Sequence, residues 1–373
     1  MAEFSNQAGI QGDTFGIGGP APAVGVVVKN AAGIAQTRNT ADTLFADAYV
    51  GLLRANDPLV GLNDTGAVIG NGKVRHGAGV QSYGLGGIAI GNARGVGASD
   101  LQTDRSAATQ VASGARSLVA GRNNTASGAD SVALGSDCTA TAAGAIAAGF
   151  SADATAANAV AMGDQALASA AAAVAFGELT VASGPAAFAT GRRTIASGSA
   201  AAAFGQDTRA TADYSTAFGQ ASVADAQGMI SISGGFIATI GDSQTCLVTW
   251  GVATAAAALT TMGLDGTAAG PELTLPASSA YSFEILVTAE VAGATAGKVW
   301  TIVGGIRRPG AGLAVFIGGV APVAAVVATD GALAAATVVV TAPAGGILRI
   351  SVTGVAATAI RWTATARIAR STG

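Results

Sequence analysis

Chemistry-bearing side chains are scarce in this chain. It has one histidine, His76, and two cysteines, Cys138 and Cys246, in 373 residues. A Ser-His-Asp triad would have to use His76. That residue stands between Arg75 and Gly77 in a turn-like stretch, where a surface histidine is expected. The cysteines fall in different expected modules and read as free, buried thiols; with one histidine they are too few for a structural zinc site. Charged residues make up 11%, against about 25% in ordinary soluble domains. The net charge of −3 gives no basic field for nucleic acid, and Arg192-Arg193 and Arg307-Arg308 are too isolated for a nucleic-acid patch. Asp207, Asp213, Asp225 and Asp242 lack the spacing of a calcium loop and read as solvated turns. The stretch 66–73 fails as a phosphate loop, because Val74 stands where Ser or Thr is required. No cofactor or metal, and no enzymatic activity, is expected.

Long apolar helical runs are missing as well. The mean hydropathy is +0.49, and two uncharged windows, 243–264 and 309–329, are long enough to span a bilayer. Both are broken by glycine and rich in β-branched residues, which predicts strands and no membrane insertion. The opening MAEFSNQAGIQGD has neither a basic n-region nor an apolar h-region, so no signal peptide is expected.

What is abundant is glycine, 54 residues, with alanine and valine carrying most of the 50% hydrophobic content. This apolar content excludes a disordered tail. Glycine recurs at 121, 135, 149, 163, 177, 191, 205 and 219, a step of 14 without slip. Five residues after each comes an alanine: Ala126, Ala140, Ala154, Ala168, Ala182, Ala196, Ala210 and Ala224. The next residue is Ser or Thr, except at Asp225. Helix-pair repeats need about 33 residues or more, and each glycine would cost a helix about 1 kcal/mol. Apolar residues alternate with period 2 inside the unit, the strand signature. Each unit therefore predicts two short strands and two tight turns, one coil of a parallel β-roll or β-helix, with glycine at positive φ.

Small residues alternate with larger ones on those strands. A roll of two short strands is narrow, so Ala147, Ala161, Ala175 and their equivalents are expected inside. The larger set must face outward: Leu118, Val132, Ile146, Val160, Val174 and Phe188 at one position, Leu134, Met162, Phe176, Phe204 and Phe218 at another. Monomers rarely expose such a stripe, which predicts self-association with cyclic symmetry about the roll axis.

The Ser131-Val132-Ala133-Leu134-Gly135 type of unit at 14-residue spacing closely resembles the YadA-like head repeat of trimeric autotransporter adhesins and bacteriophage fibres. The resemblance covers about 81–228 and implies a left-handed parallel β-roll packed as a homotrimer along the apolar faces. Ile88-Ala89-Ile90-Gly91 is one more copy; the next expected glycine is Ala107, which predicts an irregular turn with a two-residue insertion.

Residues 229–272 read as a neck. From 273 to 373 antiparallel alternation predicts a β-sandwich of six to eight short strands. Phe283, Ile285, Val287, Ala289 and Val291 alternate with Ser282, Glu284, Thr288 and Glu290; Ile360, Trp362, Ala364, Ala366 and Ile368 alternate with Arg361, Thr363, Thr365 and Arg367. Turns are expected at Gly304-Gly305, Gly318-Gly319 and Gly345-Gly346. The stretches 300–308, 348–354 and 360–362, with the upstream Gly241-Asp242-Ser243-Gln244, resemble a C-terminal module of phage fibres, which implies a tip or a trimer-locking domain. Trp300 and Trp362 are candidates for stacking on a host sugar, with burial as the alternative. Residues 1–80 form the expected base; 40–55 fits a short helix capped by Thr40 or strands packed in a trimer.

These readings converge on an all-β homotrimeric fibre of a tailed phage or phage-like particle, on the virion surface. Its N-terminus would attach to capsid or tail proteins and its tip to a host glycan or protein, with head and tail positions both open. The alternatives are a trimeric autotransporter-type adhesin, a capsid spike without receptor role, and a depolymerase tailspike. The first would need a secretion signal and a membrane anchor. The last would need a carboxylate pair in a groove, and the repeats offer few acids at regular positions.

Overall fold

A computed structural model describes residues 94–373 apart from 294, 311 and 373. It also describes two short antiparallel pairs upstream, Val27–Lys29 with Ala35–Thr37 and Ile69–Gly70 with Lys73–Val74. The remainder of the expected base, His76 and the copy at 88–91 lie outside the described residues.

The alternation of small and large residues produces the expected coil. Ten strands from Ser99–Asp104 to Ile230–Gly234 stack in parallel in one sheet, and eight two-residue strands from Thr125–Ala126 to Val223–Ala224 stack in a second. Nine steps at the usual inter-strand spacing make a shaft about 43 Å long. Each regular coil bonds to the next 14 residues on: Ala147 lies opposite Ala133 and Ala161. The Val160 N–H donates to the Ala173 carbonyl at 2.9 Å, and the Leu167 N–H to that of Thr180 at 2.8 Å. The columns Ala133 to Ala217 and Ala126 to Ala224 are wholly buried. The interior is as wide as two methyl groups and the backbone allow, which is why alanine fills it.

Three positions per coil have positive φ. Glycine holds one, from Gly121 to Gly219, with φ between 98° and 135°. The expectation that glycine would mark the left-handed positions is corrected at the other two. These go mostly to ordinary residues, among them Gln165 at φ 54°, Leu179 at 55° and Tyr214 at 57°. Their φ lies in the small left-handed well that L-residues can enter. Stacking holds them there, as when the Gln165 N–H donates to the Phe150 carbonyl of the previous coil at 2.8 Å. At the glycine positions a side chain has no room: a Cβ on Gly163 would lie 2.1 Å from the Gly177 oxygen.

The irregular first coil is longer than expected. Gln102, and not Ala107, lies opposite Gly121, and the step between these coils is 19 residues, with a bulge between Gln102 and Asp104. The extra chain folds inward on a buried ion pair, the Arg105 guanidinium donating to both Asp100 carboxylate oxygens at 2.9 Å.

The neck expected at 229–272 is instead divided between the two modules. Ile230–Gly234 is the last parallel strand of the shaft, and Ser243–Thr254 pairs with it antiparallel as the first strand of the C-terminal module. Beyond it come Ile360–Thr372, Ser279–Val291 and Gly297–Arg308, strands of 12 or 13 residues, longer than expected. The shaft sheet and the C-terminal sheet are thus one continuous sheet. A second antiparallel sheet carries Leu259–Thr261, Ile347–Thr353, Leu273–Thr274 and Thr337–Thr341. Inward residues of both, including Trp250, Ile285, Trp362, Leu348 and Ile350, join the buried core. The predicted alternation along 282–290 and 360–368 is observed residue by residue.

Gly318-Gly319 and Gly345-Gly346 have positive φ, as turns require. Gly304-Gly305 does not mark a turn but lies inside the Gly297–Arg308 strand. A Cβ on Gly304 would come within 2.9 Å of the Phe283 ring and 3.0 Å of Pro322, and one on Gly305 within 3.0 Å of Ile317. The pair lets the 309–324 segment fold back against its own strand. No helix among the described residues is long and apolar enough to cross a membrane.

Candidate functional site

The shaft's long sheet places every residue of the expected apolar stripe on one face. Leu118, Val132, Ile146, Val160, Val174 and Phe188 stand in register in one column. Leu134, Met162, Phe176, Phe204 and Phe218 stand in the second, two residues along each strand. Most are half-buried by their neighbours in the column; Met162 and Phe218 are each 39% exposed. Phenylalanines form a ladder along the stripe, with ring centroids 6.1 Å apart for Phe176–Phe188, 5.5 Å for Phe188–Phe204 and 5.0 Å for Phe204–Phe218. The face continues onto Ile230, Ile232 and Leu247, all exposed. A third column on the same face is polar for much of its length, through Asp164, Glu178, Arg192, Gln206 and Gln220.

The turns are laced by charge pairs 14 residues apart. Arg116 meets Asp130 at 2.6 Å, Arg193 meets Asp207 at 2.6 Å, and Arg192 meets Glu178 at 3.4 Å. Hydrogen bonding to Arg193 holds the Asp207 carboxyl below the usual carboxylate range, so Asp207 is not the merely solvated acid expected. The spacing was the available signal, since charges 14 apart must sit side by side in such a coil.

The junction of shaft and C-terminal module is built by the sequence's own exceptions. Asp225, which breaks the Ser/Thr rule, accepts from Arg370 Nη1 of the last strand at 2.9 Å. Arg370 is itself buried, with its guanidinium carbon 5.8 Å from the Tyr281 ring centroid. The Gln244 side chain imitates another coil. Its Oε1 accepts from the Val223 N–H at 2.8 Å and its Nε2 donates to the Val223 carbonyl at 2.7 Å, closing the edge of the short-strand sheet. Burial opposes the charge of Asp242, but N–H groups of Thr239, Ala238 and Ile237 converge on it and hold the carboxyl below its usual range. The Gly-Asp-Ser-Gln signature is the end cap of a repeat array.

The tryptophan candidates require correction. Trp300 and Trp362 are each 2% exposed and stack on one another at 5.5 Å in the core. Trp362 Nε1 donates to Thr254 Oγ1 at 2.9 Å, and Lys298 Nζ sits 4.9 Å from the Trp300 ring centroid. Neither ring has a free face for a sugar. Both cysteines are buried free thiols, and burial raises both above the ordinary thiol range. Among the described residues no group of three His, Cys, Asp or Glu side chains is placed to hold a metal ion.

The YadA head domain repeat matches residues 112–137, 154–179 and 196–222, all within the shaft. The shaft is therefore a β-solenoid built of YadA head repeats. No curated protein sequence matches the chain. Among solved structures, the crystal structure of the Acinetobacter phage vB_ApiP_P1 tailspike protein aligns at 11% identity and a TM-score of 0.19. The alignment covers 75% of this chain and 55% of that one.

Proposed function

We propose that the protein is a homotrimeric fibre of a phage or phage-like particle, exposed on the virion and mediating attachment to a host surface. The observation that carries this reading is the apolar stripe. A rigid shaft holds two columns rich in Val, Ile, Leu, Met and Phe in register on one face, interrupted by Ala148, Thr190, Ala202 and Thr216, next to a polar column, and continues them onto the C-terminal sheet. An exposed apolar band of this extent is uncommon in a monomer; three copies around the roll axis would cover it and leave the charge-laced turns in water. Trimer contacts would then run through Leu118, Val132, Ile146, Val160, Val174, Phe188 and the Leu134-to-Phe218 column. The N-terminal region would dock on particle proteins, and the C-terminal module would meet the host glycan or protein. Three weak contacts on one rod gain avidity without a strong single site.

Sedimentation velocity of the purified chain tests the assembly: three copies are expected, and a stable soluble monomer would refute it. Adsorption of particles carrying or lacking this protein tests attachment, and unchanged adsorption would reject that part.

A further inference from the structure

We propose that the 309–329 segment at the far edge of the C-terminal sheet, with Val303 beside it, is a second self-association surface, where three copies of the chain meet beyond the shaft. The inference rests on the homotrimer reading above and names a contact which that reading does not contain.

The first observation sets composition against exposure. No residue between Arg308 and Asp330 is charged. Yet Leu313, Ile317, Val320, Val323, Val326 and Val327 are each more than half exposed. So many bare aliphatic side chains in one short uncharged segment are uncommon on a monomer. The Ala325–Thr329 strand is exposed along its whole length and, among the described residues, pairs on one side only, with Gly297–Arg308. Neither charge nor proline stands in it to guard its outer edge.

The second observation is register, which says what covers the segment. Both columns of the shaft stripe can be followed across the continuous sheet. From Ile230 the first runs through Leu247, Arg367 and Glu284 to Val303. From Ile232 the second runs through Thr245, Ala369 and Ser282 to Gly305. Directly opposite residues share a face. Val303, which is 69% exposed, and Ile317, whose side chain lies over Gly305, therefore resume the stripe on its own face. Leu286, two residues along the strand from Glu284 and half exposed, stands on that face too. The interruption is small or self-cancelling: Ala369 and Ser282 are short, and Arg367 and Glu284 are opposite charges side by side. Copies packed through this face meet no excess of like charge. The rotation that joins the shaft stripes brings the three resumed stripes to the same axis, so the occupant is a second copy.

The test is cysteine chemistry on the full chain, in which Cys138 and Cys246 are buried and stay silent. Three single variants are compared: Val303→Cys on the resumed stripe, Met162→Cys on the shaft stripe, and Val339→Cys on the outer side of the second sheet, where Val339 is exposed. With a short bis-maleimide, Val303→Cys and Met162→Cys should give covalently linked chains and Val339→Cys none. With a single-headed maleimide, Val303→Cys should react at least about tenfold more slowly than Val339→Cys. If either result fails at Val303 while Met162→Cys still cross-links, the proposal is overturned and the trimer reading stands. No cross-link at Met162, with a single copy by sedimentation, would refute that reading and the proposal with it. Fast reaction at Val303 on free particles that is lost on bound cells would also overturn the proposal, and would give the segment to the host surface instead.

Discussion

Replacing Gly163 with alanine tests the coil geometry at its tightest point. The glycine has φ of 135°, outside the left-handed well, so any L-residue is strained by about 1–3 kcal/mol there. Its new Cβ would meet the Gly177 oxygen at 2.1 Å, the carbon at 2.8 Å and the nitrogen at 3.0 Å. Those atoms are backbone of the next coil and cannot rotate away. Reaching ordinary contact requires the two coils to part by more than about 1 Å. That stretches the flanking bonds from Val160 to Ala173, now 2.9 Å, and from Leu179 to Asp164, now 2.8 Å. Two or three ladder bonds at about 1 kcal/mol each, added to the backbone strain, give about 3–6 kcal/mol. For a unit of this size the melting temperature should fall by about 5–10 °C, measured by circular dichroism. The control is Gly228→Ala, where φ is 64° and no atom lies within 4 Å of the new Cβ; it should cost about 1 kcal/mol. Equal shifts for the two variants would refute the steric argument and the stacked-glycine column with it.

Inside the shaft, Ala161→Leu should cost about 1–3 kcal/mol by overpacking, seen as a lower midpoint in urea. At Gln165 the result depends on the replacement: Gln165→Gly should be neutral or better because φ is 54°, whereas Gln165→Val should destabilise. Asp242 gives the acid limb a specific cause. Its carboxyl lies below the usual range when folded, so its contribution is complete above the unfolded value near 4 and is lost as pH falls through the folded value. Asp242→Asn should flatten the melting-temperature profile below about pH 4; an unchanged slope would remove Asp242 as the cause.

The shaft was legible because a repeat states the same constraint many times. A single Val-Ala-Leu-Gly proves little, but eight in-register copies leave no arrangement other than a coil of two short strands. The C-terminal strands were legible where one face meets the core and the other meets water, as at 282–290. Gly304-Gly305 lies inside a strand and not at a turn, because a glycine pair signals close approach as readily as a turn. The distinction depends on Phe283 and Pro322, distant in sequence or topology. The junction was half-legible. Asp225 announced itself as the one break in its column, but its partner Arg370 lies 145 residues away, and no local pattern names it. The tryptophans could not be placed by composition, since burial or display depends on the opposing sheet. The 309–324 arm was invisible for a related reason: its apolar residues read as a strand or a span, whereas the fold lays Ile317 over Gly305 and Pro322 over Gly304 and leaves Leu313, Val320 and Val323 exposed.

The continuity of the sheet changes how the C-terminal module can be tested. Deleting 273–373 is the direct way to separate a receptor tip from a trimer cap, but the cut falls inside the structure it is meant to spare. The Ser243–Thr254 strand pairs along its whole length with Ile360–Thr372. Removal of the partner bares one edge and the inward side chains Cys246, Val248, Trp250 and Val252, all now buried. It also strips Arg370 from Asp225. An open edge beside an apolar face is a template for aggregation, so the 273–373 deletion should give insoluble protein whichever role the module has. A cut at 243 should aggregate too, because it removes Gln244, which closes the short-strand edge at Val223, and leaves Ile230–Gly234 without its neighbour. A usable truncation must keep 229–254 and supply a strand in place of 360–372, for example through a short turn after Thr254, with an arginine at the position of Arg370. If the module is a tip, that truncated protein should remain a trimer and lose adsorption. If it is a cap, a charge-reversed pair, Asp225→Arg with Arg370→Asp in the full chain, should preserve the trimer, while Asp225→Arg alone destabilises it. A soluble, folded 273–373 deletion would refute the argument, because it would mean that the shaft ends without help from the sheet that now continues it.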